Sequence, residues 1–272
     1  MTVIGKNKLL DKFVLPPPHL LYSPHVDALE ESIEAIGLWG TAVQTKIAGW
    51  LATDPVVTRN FGPLTWTELH HELTPFYMEA ASVAVLPVKS TAEFNAINSA
   101  KLPTVTDVFR GQANFLDFKA TLQSICLALG VDSRIRDHGV KTVTDKSGAS
   151  VIYPHHTQVD SQLAELFEFL AGNFKNFPHL CAVAAHLGIG HIHPLSDGNG
   201  RLSRAVYNWM INAAGAVKFY LPLHELAALS DGGYIIRFRK ATYQNDWSEI
   251  VVFFTRLITA FKDWGAGSSG KS

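Results

Sequence analysis

His193-Pro194-Leu195-Ser196-Asp197-Gly198-Asn199-Gly200-Arg201-Leu202-Ser203-Arg204 gathers an imidazole, a carboxylate, two glycines and two guanidinium groups into one short stretch. Before it, Leu180, Val183, Leu187 and Ile189 describe a buried helix that must end near His193, because Pro194 disfavours α geometry in the residue preceding it. The imidazole is thereby delivered to the lip of a loop. Gly198 and Gly200 admit backbone conformations and close approaches denied to other residues. A helix resuming at about Gly200 turns its free amide groups and positive dipole end back into the loop. Arg201 and Arg204 lie three apart on one face of that first turn, where cations are unfavourable unless an anion is bound nearby. Asp197 alone would repel a phosphate, but it suits Mg2+, which typically takes one or two carboxylates together with substrate phosphates and water. Singly, these residues read as a turn, a cap, solvated charges and a structural histidine. Their coincidence points to a phosphate and metal site with a proton acceptor beside it.

Outward from this stretch, helical signals dominate. Ser23-Pro24 supplies a cap and a first-turn proline, followed by Val26, Leu29, Ile33 and Ile36 at helical spacing up to Gly37. Thr65-Trp66-Thr67-Glu68 and Ser90-Thr91-Ala92-Glu93 both read as capping boxes opening helices. Further helices are expected over 107–129, stopped by Gly130, and over 162–174, 178–189, 202–214, 225–229 and 247–261. Leu15-Pro16-Pro17-Pro18 should run extended. Between Gly139 and Tyr153 the pattern changes: Val140, Thr142 and Val143 flank one side of Asp145-Lys146-Ser147-Gly148, and Val151, Ile152 and Tyr153 the other, which predicts the chain's one β-hairpin. The expected fold is mainly α with this hairpin beside the central loop.

At 272 residues and 47% hydrophobic, the chain can bury a sizeable core. A net charge of −1 excludes a global attraction to nucleic acid or anionic membrane, so anion recognition must be local. Cys126 and Cys181 sit in apolar helical surroundings, which suits reduced thiols. The N-terminus lacks the apolar run of a signal peptide, and no window approaches the roughly 18 apolar residues of a membrane span. The expectation is a soluble cytoplasmic protein, although an effector exported without such a signal would look the same.

His193 to Arg204 resembles the signature of the Fic family, His-x-Phe-x-(Asp/Glu)-Gly-Asn-Gly-Arg-x-x-Arg, departing only at Leu195, where the family has Phe as an apolar anchor. The resemblance implies a Fic-like helical bundle that transfers AMP from ATP, with Mg2+, onto a Ser, Thr or Tyr hydroxyl of a target protein. It makes His193 the general base, Asp197 the Mg2+ ligand, Gly198, Asn199 and Gly200 the anion cradle, and Arg201 and Arg204 the phosphate contacts. It also makes the 140–153 hairpin the flap on which the target docks by strand pairing, and Asp246-Trp247 the entry to the family's last helix. The implied division is an N-terminal region over 1–64, a Fic-like domain over 65–262 and a flexible tail over 263–272. A homo-oligomer stays open.

Many Fic proteins carry an inhibitory helix, (Ser/Thr)-x-x-x-Glu-(Gly/Asn), whose Glu pairs with the second motif arginine. Glu79 to Phe94 resembles its surroundings, with Leu86 where the Glu would stand, so Arg204 is expected to lack that intramolecular partner. Other donors, such as another nucleotide, phosphocholine or phosphate, would use the same cradle, and a non-catalytic nucleotide-binding interaction module is the alternative from another class. His186, His191 and His193 near Asp197 could instead form a transition-metal site, but that leaves the two arginines unexplained. Gly265 to Ser272 spells a Walker A pattern, yet it follows a helix rather than a strand and no helix follows it.

Overall fold

The structure, a computed structural model, describes residues 2–4, 7–9, 12–32, 88–109, 114–142, 150–212, 221, 223, 224, 227, 230 and 233–268. Two short strands, β1 (Thr2–Ile4) and β2 (Asn7–Leu9), are followed by a 3-10 turn over Pro18–Tyr22 and helix α1 (Pro24–Glu31). Then come α2 (Val88–Ser99), α3 (Val105–Phe109), α4 (Phe115–Ala128), β3 (Val151–Ile152), α5 (Val159–Asn173), α6 (Pro178–Ile192), α7 (Asn199–Ile211), α8 (Gly233–Gln244) and α9 (Ser248–Ser268). The architecture is mainly helical.

The caps explain several boundaries. Ser23 Oγ accepts from the Val26 amide at 3.4 Å with Pro24 in the first turn, and Val26 and Leu29 are fully buried. Asn114 Oδ1 accepts from the Asp117 amide at 2.9 Å, opening α4 after a break from α3, so the single helix expected over 107–129 is two. Ile33 to Gly37 and the Thr65–Glu68 box lie outside the described residues.

Helix α6 is the axis of the bundle. Its residues from His179 to Ile189 are all buried, and it packs against α1, α5, α7, α8 and α9. Gly188 lets it approach α5 closely, since a Cβ there would lie 2.8 Å from a Leu166 methyl. Phe177, the residue before α6, offers no side-chain cap. Glu30 supplies one from α1, its carboxylate accepting the His179 amide at 3.1 Å and the Leu180 amide at 2.9 Å. Around the far side, Phe109 packs ring to ring with Phe118, Phe167, Phe174 and Trp209 of α7. Helices α4, α5 and α6 thus form the seat for the turn between α6 and α7.

Two further expectations are corrected. The described residues of the 140–153 segment form no clear hairpin flap. Lys141 and Ile152 make one isolated antiparallel bridge, with Thr142 N–H donating to Val151 at 2.8 Å and Tyr153 N–H to Val140 at 3.1 Å. The strand β3 is two residues long, and its other edge pairs in parallel with β2, Lys8 opposite Val151 and Leu9 opposite Ile152. The antiparallel pair that does form is β1 with β2, Thr2 opposite Leu9. Arms of three or four residues give too little alternation to fix their partner, and a strand from the other end of the chain takes the free edge. Helix α2 starts at Val88, ahead of Ser90, so Ser90 and Glu93 are not a capping box at its entrance. Helix α9 runs through Gly265 to Ser268.

Candidate active site

Helix α6 ends where Pro194 requires, and His193, its last cap, takes a left-handed conformation at φ 54°, ψ 61°. Such a conformation costs a non-glycine residue roughly 1–2 kcal/mol, so neighbours must hold it. The His193 ring lies flat against Tyr153, centroids 3.6 Å apart and planes 15° from parallel. Its Nδ1 faces the Gly190 carbonyl at 3.3 Å, which assigns the proton to Nδ1 and leaves Nε2 as the acceptor. Burial, more than any neighbouring charge, pushes the imidazole down to about 4, so it is neutral at neutral pH.

Beyond His193 the chain turns sharply. Asn199 is buried, and its side-chain amide clamps Leu195 on both sides, accepting from the Leu195 amide and donating to its carbonyl, each at 2.8 Å. Asn199 therefore ties the turn together through its side chain. Leu195 is 2% exposed and fills the apolar anchor role expected of it, with about 10 Å3 of space left among Leu122, Cys126, Ile135 and Leu202. Gly198 has φ +85°, and a Cβ there would lie 2.5 Å from a Val131 methyl, so both conformation and space demand glycine. Helix α7 then begins with its amide end facing the turn.

His193, Asn199, Gly200 and Arg204 line one cavity of about 290 Å3, walled by Tyr153 and Tyr234 among others. Arg201 and Arg204 share a second cavity of about 590 Å3 with Glu93 and His224. Asp197 lines neither; its side chain is 95% exposed and meets Arg201 only at 3.5 Å. One carboxylate in the open beside Arg201 gives no protein cage and would suit Mg2+ only as carried on a phosphate ligand. Among the described residues no group of three or more His, Cys, Asp or Glu could hold a metal, and the histidines of the rival site are otherwise engaged. His186 bonds Tyr234 at 2.7 Å, and His191 packs against Phe13 and Tyr243.

The expectation that Arg204 lacks a carboxylate partner is overturned. Leu86 lies outside the described residues, but Glu93 of α2 takes the arginine through Nε at 3.2 Å and Nη2 at 2.5 Å, with the Glu93 side chain only 6% exposed. Arg136 and Tyr153 were likewise not singled out by the sequence. Arg136 stands in Ser133-Arg134-Ile135-Arg136-Asp137-His138, where nothing separates it from Arg134, whose side chain is 87% exposed.

The family model described as Fic/DOC family matches residues 115–211. No curated protein sequence matches the chain. Among solved structures, a Fic family protein of Desulfovibrio desulfuricans aligns with 96% of this chain and 78% of its own at 16% identity and a TM-score of 0.51. A Fic domain containing signaling protein of Bacteroides thetaiotaomicron covers 93% and 97% at 15% identity, TM-score 0.47. Fic-1 of C. elegans covers 92% and 72% at 16% identity, TM-score 0.48. The left-handed histidine, the glycine turn and the two-arginine helix start all fall inside the matched span, and residues 115–211 of this chain are a Fic/DOC family domain.

Proposed function

We propose that this domain is a protein adenylyltransferase that moves AMP from ATP to a hydroxyl side chain of a target protein. The observation that carries the reading is the neutral His193 imidazole, set in one cavity with Arg204 and the start of α7. In that reading the target oxygen forms a bond to the α-phosphorus, the bond to pyrophosphate breaks, and the hydroxyl proton passes to His193 Nε2. The α7 amides and Arg204 hold the phosphates and stabilise the charge that builds on them, which makes positioning and electrostatics the main sources of rate. Asp197 would hold Mg2+, which when bound neutralises phosphate charge. Arg201, released from its long contact with Asp197, would serve as a further phosphate contact. Transfer of another phosphate-containing group by the same cradle is the competing outcome.

Incubation with α-labelled and, separately, γ-labelled ATP tests the assignment. Label on protein from the α position alone is expected, and label from the γ position alone, or from neither, would overturn it. A general base contributes about 10²–10⁴-fold, so His193→Ala should lose that much transfer while keeping Mg-ATP binding by calorimetry. Equal transfer by the variant and the parent protein would remove His193 from the role.

A further inference from the structure

Arg136 is buried to 3% exposure in the loop after α4, and every hydrogen bond its guanidinium makes to a described residue ends on a main-chain carbonyl. Nε donates to His193 at 2.7 Å, Nη1 to His138 at 2.8 Å, and Nη2 to Pro154 at 2.5 Å and Ile192 at 3.4 Å. Its own amide donates to Pro194 at 2.9 Å. One side chain thus touches the last carbonyl of α6 and that of its cap, the loop of its own strand of chain and the segment just past β3. Burial lowers the basicity of the guanidinium, yet the negative end of α6 is where a cation gains most from a helix dipole. The carbonyls of His193, His138 and Pro154 are taken by Nε, Nη1 and Nη2 in turn, one to each nitrogen of a planar fork, a geometry that an ammonium cannot reproduce.

We infer that Arg136 is a positioning residue for the proposed transfer: its fork holds His193 in the left-handed backbone conformation and so fixes where the imidazole stands in the cavity. Without it, the residue before Pro194 relaxes toward the extended region that such residues prefer, and the ring swings away from Tyr153 and the α7 amides. The link to Pro154 makes the same guanidinium fix the distance between α6 and the chain leaving β3, which carries Tyr153. The inference rests on the transferase reading for its kinetic consequence, and on geometry alone for the conformational one.

The test uses the full chain with Arg136→Lys, Arg136→Gln and Arg136→Ala, followed by calorimetry with Mg-ATP, transfer kinetics and amide hydrogen exchange. For Arg136→Lys, Mg-ATP affinity and melting temperature should stay close to the parent values. Its kcat should fall by about 10- to 100-fold at unchanged KM, the size of effect expected for a misplaced reacting group. Millimolar guanidinium ion should restore part of the kcat of Arg136→Ala, and ammonium should not. A parent-like kcat in Arg136→Lys, or a loss that only tracks lost nucleotide binding and stability, would overturn the inference. If the parent protein itself transfers no label, the transferase reading fails and exchange still decides the conformational claim. Faster exchange confined to residues 190–198 in Arg136→Lys and Arg136→Gln supports it, and unchanged or uniformly faster exchange overturns it.

Discussion

In the transferase reading Arg204 faces two demands: Glu93 holds it through Nε and Nη2, and the phosphates it would contact draw on the same guanidinium. A polyanionic ligand would then compete with a carboxylate that is already desolvated and aligned. Glu93→Gln keeps an acceptor of the same shape but removes the charge, so Mg-ATP should bind about tenfold more tightly, the equivalent of about 1.4 kcal/mol. The ligand-free protein should melt lower, because a partly buried cation loses its counter-charge. Calorimetry reads the first effect and a melting curve the second; unchanged or weaker nucleotide binding would show that Glu93 does not compete. Leu195 is the other residue whose part is decided by contacts. Truncation to Ala removes a buried side chain beside a space of only about 10 Å3, so Leu195→Ala should cost about 2–5 kcal/mol of unfolding free energy in a denaturant titration. The apolar anchor was legible from residue type. The Glu93 pair was not, because a Glu three residues after a Ser looks the same whether it opens a helix or lies one turn inside, and its partner is 111 positions away.

The turn between α6 and α7 was the most legible element, since Pro194 fixes where one helix stops and the glycines mark where the backbone must bend. Its tightness rests on a contact that no local pattern reveals: Val131, from the loop after α4, sits where a Gly198 side chain would go. Gly198→Ala therefore meets both a backbone penalty of about 1–2 kcal/mol and an overpacking penalty of about 1–3 kcal/mol. Val131→Ala in the same chain should recover the second share and leave the first, which a double-mutant cycle on unfolding free energies would show. Additive losses would mean that Val131 yields freely and that the left-handed conformation alone requires glycine. Longer helices were legible for the same reason as the turn: α5, α6 and α7 repeat their apolar residues over several turns, and Ser23 and Pro24 mark the entrance to α1. The segment around β3 was read as a hairpin because its turn composition is strong. Which edge its two residues pair with depends on β2, more than 140 positions earlier, and that pairing has no signature in either stretch.

Across the molecule, among the described residues, burial keeps His179 and His186 of α6 and its cap His193 neutral and favours the protonated form of Glu30 at the helix start. Burial lowers His179 to about 3 and His186 and His193 to about 4, against about 6.5 in the unfolded chain. Below about 6.5 the unfolded chain takes up protons that the folded chain refuses. The stability these rings contribute is therefore whole above that pH and is lost as pH falls toward about 4. Each ring accounts for up to about 1.4 kcal/mol per pH unit in that window. Glu30 runs the other way: burial raises its carboxyl to about 7 from 4.5, although its bonds to the Leu180 and His179 amides pull it down. Its contribution is whole below about 4.5 and is lost as pH rises through about 7. Three groups outweigh one, so the melting temperature should climb from pH 4 to about 6.5 and level off above 7. Glu30→Gln keeps an acceptor for the α6 amides while removing the opposing titration, so its climb should be steeper than that of the parent protein. Equal melting temperatures at pH 4.5 and 6.5 would show that the α6 histidines ionise freely in the folded state. His193 would then stand protonated over the same range, unable to accept the hydroxyl proton.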